Sequence, residues 1–273
     1  MTERPLILIT NDDGIESFGL HAAVVACAPL GDLLVVAPSS QQTAAGRSKP
    51  SVSTGELITV TIDAAGVAVP GYGVNASPAQ AVEHALFELA TRPVALAVSG
   101  INFGENIGES VVVSGTIGAA IEAASFGIPA LAISRQTDPV HFFNHRADVD
   151  FAVAGQFLRR VAAHVLTNGL PPGVDLLKID IPDGATPATP WRWTRISRRR
   201  YFWPVAPDRQ PGQPAPMGFV LRADPAELEP DSDVRAVILN GVVSVTPVSI
   251  DMTANVGAAS LAGWGEIPER VRG

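Results

Sequence analysis

A single cysteine, Cys27, leaves no intrachain disulfide and no cysteine-rich zinc site to consider. Charge is scarce as well: 17% of the 273 residues are Asp, Glu, Lys or Arg, against 47% hydrophobic, which excludes a disordered chain. What charge there is leans acidic, with a formal net value of -8. Broad affinity for polyanions such as duplex nucleic acid is thereby excluded, because such binding comes from Lys and Arg neutralising phosphates. Long apolar runs are missing too. Ala22 to Leu30 is short and broken, and no segment offers the roughly 20 continuous apolar residues of a bilayer span. Met1-Thr2-Glu3-Arg4-Pro5 passes straight into an apolar strand with no signal-peptide pattern. The expectation is a compact cytoplasmic protein, not inserted in a membrane, whose ligands are small molecules.

What is present is a regular alternation. Leu6-Ile7-Leu8-Ile9 reads as a central strand covered on both faces. Leu20, Val24 and Cys27 follow at helical spacing until Pro29 and Gly31, and Leu33 to Ala37 gives a second buried strand. Ile58 to Ile62 alternates as a half-exposed strand, and Ser77-Pro78 opens a helix to about Ala90 as N-cap and first helical residue. Strands at Val94 to Val98 and Ala130 to Ile133 enclose a small-residue helix from Thr116 to Phe126, and the last long helix runs from Asp148 to about Leu166. This order predicts an α/β fold with a mainly parallel sheet. After Leu176 to Ile181 the character changes: prolines and aromatics punctuate the chain until Val242 to Val245. Residues 1–186 are expected to form the core, and 187–273 an appended arm with a β-hairpin.

In open α/β sheets the ligand crevice lies beyond the carboxyl ends of the strands. Three strands here end in polar segments: Asn11-Asp12-Asp13-Gly14, Ser39 to Ser48, and Asn102 to Gly115. Adjacent carboxylates point to opposite faces of a regular strand, so Asp12 and Asp13 can share one ion only if the backbone turns, which Gly14 permits. Taken alone, the pair fits a helix cap as well as a metal site. Asn102 shifts the balance, since carboxylates, an amide oxygen and a hydroxyl form an oxygen-only set suited to magnesium, manganese or calcium. The histidines are not ligands on this reading: His21, His84 and His164 fall in helices, and His141 and His145 lie in a loop without a zinc motif. Ser114-Gly115-Thr116, before a helix, offers free N–H groups and a helix dipole to a phosphate, or an ordinary N-cap. The glycine-containing stretch from Gly100 to Gly115 has no Walker A ending and no dinucleotide-binding fingerprint.

Ile9-Thr10-Asn11-Asp12-Asp13-Gly14-Ile15, the run from Val98 to Gly108, and Ser114-Gly115-Thr116 together resemble the SurE survival-protein family of nucleotidases. Val243-Ser244-Val245-Thr246-Pro247 resembles its late signature, so the likeness extends from about Leu6 to Thr253. The first two motifs are specific in combination; Ser-Gly-Thr alone is not. The resemblance implies a Rossmann-like three-layer core with a C-terminal hairpin arm. It implies one divalent ion per subunit, magnesium or manganese, held by Asp12, Asp13, Asn102 and the hydroxyl of Thr43, where the family usually has serine. It assigns the substrate phosphate to Asn106 and to Ser114, Gly115 and Thr116, and it implies a homodimer or homotetramer that exchanges C-terminal arms. Two departures stand out. Ser77-Pro78-Ala79-Gln80-Ala81 replaces the usual Thr-Pro-x-Asp-Cys, and Glu16-Ser17-Phe18-Gly19 replaces an Ala-Pro-Gly style segment.

The reaction expected is hydrolysis of nucleoside 5′-monophosphates, with extension to 3′-monophosphates, by a metal-activated water; Asp12, Asp13 and Asn106 carry the chemistry. Two alternatives compete with it. An aspartyl-phosphate route is disfavoured because haloacid-dehalogenase-like phosphatases space their acids Asp-x-Asp, whereas these are adjacent. A binding module without turnover is the other. In the arm, Arg198-Arg199-Arg200 is read as a solvated, salt-bridged face, and Trp191, Trp193 and Trp203 as interface residues.

Overall fold

The computed structural model describes residues 3–142, 149–257 and 260. Its frame is a nine-stranded sheet with four α-helices packed on its two faces. In chain order these are β1 (Leu6–Thr10), α1 (Phe18–Cys27), β2 (Asp32–Pro38), β3 (Leu57–Ala64), β4 (Val67–Val74), α2 (Pro78–His84) and β5 (Val94–Phe103). Next come α3 (Gly115–Ser125), β6 (Ala130–Arg135), α4 (Ala152–Asn168) and β7 (Leu176–Ile181). Last are β8 (Trp191–Trp193), β9 (Phe202–Val205), β10 (Gly218–Leu221) and β11 (Val243–Val248). The order across the sheet is β3-β4-β2-β1-β5-β6-β7-β11-β8, and β4-β2-β1-β5-β6-β7 are mutually parallel. The chain leaves β1 toward β2 on one side and returns to β5 on the other, so the strand order reverses at β1. A crevice opens there, beyond the carboxyl ends of β1 and β5.

Apolar residues on successive sides of the strands make two cores. Ile7 and Ile9 face Leu20 and Val24 of α1 and Phe157 and Leu158 of α4, whereas Leu6 and Leu8 face Ala81 and Val82 of α2 and Ala119, Ala120 and Ala123 of α3. This is the three-layer, mainly parallel α/β arrangement expected. The helix opened by Ser77 has its full capping box: the Ser77 hydroxyl accepts from Gln80 N–H, and Gln80 Oε1 accepts from Ser77 N–H. Its α-helical part ends at His84, and a π-helical turn continues it to Leu89. The last long helix begins at Ala152; Asp148, its expected start, lies outside the described residues, as does His145. Among the described residues no helix is long and apolar enough to cross a membrane.

Strand β4 is an element the pattern did not predict, because Pro70, Gly71 and Gly73 read as strand breakers. The structure gives the glycines a reason. A Cβ on Gly71 would lie 2.9 Å from Ile62 Cδ1, and one on Gly73 only 2.7 Å from Ile58 Cγ1. Those isoleucines of β3 fold over β4 and leave no room for a side chain. Within residues 187–257, β9 and β10 form an antiparallel hairpin, while β11 pairs antiparallel to β7 and carries β8 outside it as the edge of the main sheet. A separate small core of Ile107, Tyr201, Leu228, Val234 and Val237 joins this part of the chain to the loop after β5.

Candidate active site

The turn after β1 is built by Asn11. Its Nδ2 donates to the Gly14 carbonyl at 3.0 Å, and its Oδ1 accepts the Gly14 N–H at 3.1 Å, while Gly14 takes a φ of 101°. This clasp reverses the backbone and lets both acids face the crevice, where Asp12 is 4% and Asp13 6% exposed. The loop after β2 is fastened onto the turn: Gln42 N–H donates to the Asp12 carbonyl at 2.7 Å, and Ile15 N–H to that of Pro38 at 2.9 Å. The same loop is tied to α3 by Arg47 and Lys49, which meet the buried Glu122 carboxylate at 2.6 and 2.8 Å.

Asn102 reaches the crevice because β5 shifts register between Ser99 and Asn102, around Gly100 at φ 129°. A side chain at Gly100 would collide with the Ile133 carbonyl, at 2.2 Å. The Asn102 amide nitrogen donates to the carbonyls of Phe103 and Gly104, at 3.2 and 2.7 Å, so its Oδ1 is left facing the crevice. There it lies 3.0 Å from the Thr116 hydroxyl, which is 2.5 Å from Asp12 Oδ1. Asp13 Oδ2 accepts the Phe103 N–H at 3.1 Å, linking the acidic pair to β5 a second time.

This cluster has more acceptors than protons. Asp12 Oδ1 and Asn102 Oδ1 converge on one hydroxyl that carries one hydrogen. Burial, with the Asp13 charge second, pushes the Asp12 carboxyl up to about 7; hydrogen bonds from the Thr116 hydroxyl and the Thr116 backbone act in the opposite sense. A buried set of oxygens that is short of protons and rich in negative charge fits a hard divalent cation. Among the described residues no group of three His, Cys, Asp or Glu side chains is placed to hold a metal. Two carboxylates completed by neutral oxygens are the composition expected for this set.

The segment expected to hold phosphate is divided in its duties. The Ser114 hydroxyl caps α3 by accepting from Ile117 N–H, and Thr116 serves Asp12. Gly115 allows the approach, since a Cβ there would sit 2.7 Å from both Cβ and Oδ2 of Asp12. Asn106 donates from Nδ2 to Ser134 Oγ at 2.9 Å, and Ser134 is the strand neighbour of Asn102. The Thr43 hydroxyl is exposed and 2.6 Å from Gln41 Nε2. Thus Asp12, Asp13, Asn102, Gly115 and Thr116 converge, Asn106 stands beside them through Ser134, and Thr43 pairs within its own loop. Gln80 fills its capping box and also donates from Nε2 to the Pro50 carbonyl at 3.2 Å, a bond no carboxylate could make.

A buried ion cluster behind this site had no sequence signal. Lys178 bridges the carboxylates of Asp180 and Asp233, and all three side chains are almost fully enclosed. Asp180 accepts the Asn106 N–H at 2.8 Å and Asp233 the Gly108 N–H at 3.2 Å, so the cluster sets the backbone of the loop that carries Asn106. Glu105 in the same loop accepts from the Tyr201 hydroxyl at 2.9 Å. Burial raises its pKa to about 7, helped by the Asp180 charge and opposed by Tyr201 and the Thr137 backbone. An acid raised in the folded state stabilises the fold most when protonated, and that stability is lost as pH climbs from about 4.5 through 7. Glu105→Gln is therefore expected to melt with the native chain at pH 4.5 and roughly 3 °C above it at pH 8, measured by thermal denaturation. A difference that does not vary with pH would contradict the buried-acid account.

In the arm, Arg198, Arg199 and Arg200 are solvent-exposed; Arg200 pairs with Glu109 at 3.2 Å, while Arg199 Nε donates to the Glu227 main-chain carbonyl at 3.2 Å.

The family profile described as Survival protein SurE matches residues 7–203, well over half of the chain. The chain belongs to the SurE family. Among curated relatives, the "5'-nucleotidase SurE" of Thermococcus kodakarensis is 42% identical over 250 residues, covering 92% of this chain and 94% of the relative. The protein of the same name from Archaeoglobus fulgidus is 39% identical over 259 residues, covering 94% and 96%. Among solved structures, the SurE protein from Aquifex aeolicus superposes with a TM-score of 0.74 at 28% identity, covering 96% of this chain and all of that one. The likeness spans the acidic pair, the Asn102 loop and the arm alike.

Proposed function

We propose that this SurE-family chain is a 5′-nucleotidase that hydrolyses nucleoside 5′-monophosphates to nucleoside and phosphate at the Asp12-Asp13 crevice, and 3′-monophosphates as secondary substrates. The relatives' names support the reaction class. The observation that carries the site is the convergence of Asp12 Oδ1 and Asn102 Oδ1 on the single Thr116 hydroxyl.

On this reading Asp12, Asp13, Asn102 and Thr43 would hold one magnesium or manganese ion, the Thr43 hydroxyl giving up its bond to Gln41 to do so. Such an ion, when bound, offsets charge on the phosphoryl oxygens and makes a water more acidic. The protein's own groups do the rest. Asn106 has a second Nδ2 hydrogen to give to the phosphate, beyond the one on Ser134. The amino end of α3, at Ser114 to Thr116, adds the positive end of the helix dipole. Asp12, fixed through Oδ1 by Thr116, accepts the proton of the attacking water at Oδ2. The water oxygen bonds to phosphorus as the bond to the ribose oxygen breaks; that oxygen takes a proton from solvent, and Asp12 returns to solvent the one it accepted from the water, so the site is restored. On this reading the chain acts in the cytoplasm, and as a homodimer or homotetramer; the association is supported by Trp191 and Trp193, which are 50% and 55% exposed on edge strand β8.

The test is phosphate release from 5′- and 3′-nucleoside monophosphates with manganese or magnesium. Turnover of the 5′-esters, lost on chelation and restored by either ion, is expected. No release from any monophosphate with either ion would overturn the reading.

A further inference from the structure

We propose that a cluster of phenylalanine rings, Phe142, Phe202 and Phe219, forms the surface on which the base of the nucleotide stacks. The proposal rests on the 5′-nucleotidase reading and adds to it how the nucleoside half is recognised. Gly104 lies between Asn102 and Asn106, and its missing side chain is replaced by the Phe142 ring. A Cβ on Gly104 would be 2.5 Å from Cε1 and 2.9 Å from Cδ1 of that ring. The Phe142 carbonyl accepts from Gln41 Nε2 at 2.7 Å, and the same nitrogen is 2.6 Å from the Thr43 hydroxyl. One residue thus touches the loop after β5 and is anchored to the loop after β2, the two walls of the crevice.

The hairpin extends this ring outward. Phe219 of β10 lies nearly parallel to Phe142, at 12° and 6.2 Å between centroids. Phe202 of β9 braces Phe219 edge-on, at 71° and 5.6 Å. Phe219 is 39% exposed, so a face of the cluster is open to a ligand. Of the other exposed aromatics, Trp203 lies on the opposite face of the hairpin with Arg222 over its ring, and Phe18 opens α1. Phe87 and Phe126 pair beside Pro93 and Val94, at the opposite ends of the strands, and Trp191 and Trp193 lie on the outer edge strand. The base of a nucleotide whose phosphate sits at Asn106 needs a flat apolar surface near that loop; the phenylalanine cluster has one, whereas the exposed Val112 and Val113 of the same loop have no ring to stack on. Stacking uses the flat face common to all bases, so this platform accepts every base and holds the larger purines more tightly.

The experiment compares adenosine 5′-monophosphate with ribose 5-phosphate, which carries the same ester without a base. It uses the native chain and the variants Phe219→Ala, Phe219→Leu and Phe219→Trp. Leu keeps apolar bulk for the hairpin but has no flat face. Ala and Leu are expected to raise KM for the nucleotide about tenfold. Both should leave kcat/KM for ribose 5-phosphate within about twofold, and Trp should keep the native KM. An unchanged nucleotide KM in Ala and Leu, or parallel losses on both esters, would assign the rings to packing and overturn the platform. If the native chain hydrolyses neither ester, the nucleotidase reading falls first and the platform with it.

Discussion

The Asp12→Asn protein is expected to release phosphate about 10³-fold more slowly than the native chain, yet to melt at the same temperature or higher. Both halves follow from one environment. Asp12 is buried beside a second carboxylate, and the two effects together lift its pKa to about 7. Replacing it with a neutral amide of the same shape relieves repulsion from Asp13 and removes the burial penalty, so folding gains. Function loses because the amide cannot accept the water proton and contributes no charge to a cation. A site kept at the expense of stability is the usual mark of a functional carboxylate. Phosphate assays separate this account from its rival, in which Asp12 merely caps the helix that follows it in the chain. A cap-only residue would leave turnover intact on this change, since Asn caps a helix about as well as Asp.

The second large effect is expected at Gly115. Two tendencies compete in Gly115→Ala. Alanine favours a helix over glycine by about 1 kcal/mol. Against this, the new Cβ would stand 2.7 Å from Asp12 Cβ and Oδ2, closer than such atoms are found. Overpacking of this kind costs about 1–3 kcal/mol, and misplacing a reacting group by about 1 Å lowers rates about 10²-fold. Sterics therefore win: phosphate release should fall about 10²-fold and the melting temperature should drop. A variant that is more stable and fully active would show that α3 and Asp12 do not need to touch.

How much of this could be read from the residues alone depends on where the signal lies. The apolar runs of β1, β2, β5, β6 and β7 are local, so the strand, helix alternation and the position of the crevice were legible. Gly14 and Ser77-Pro78 were also legible, because turn and cap chemistry acts over a few residues. β4 was not, since Pro70, Gly71 and Gly73 suit a strand only once Ile58 and Ile62 are folded over it. At the site, the acids and Asn102 stood out as polar groups after apolar strands. Thr116 did not reveal its role, because a hydroxyl near a helix start reads as a cap or phosphate ligand, while in the fold it bonds to Asp12. Lys178 and Asp180 alternate with apolar neighbours in β7, a pattern that reads as a half-exposed strand, although all six positions are buried. Their meaning comes from Asp233, distant in sequence and brought in by the arm. Asn106 was placed by resemblance, and only the fold shows that Ser134 and Asp180 hold it.

The central claim is that Asp12, Asp13 and Asn102 form one cation site. Its most direct test is calorimetric titration of manganese into the chelator-treated native chain and into the Asp12→Asn protein, both fully folded. The account predicts saturable binding of one ion per chain in the native protein and binding at least about tenfold weaker in the variant. Equal affinity in the two proteins, or no binding to the native chain, would contradict it.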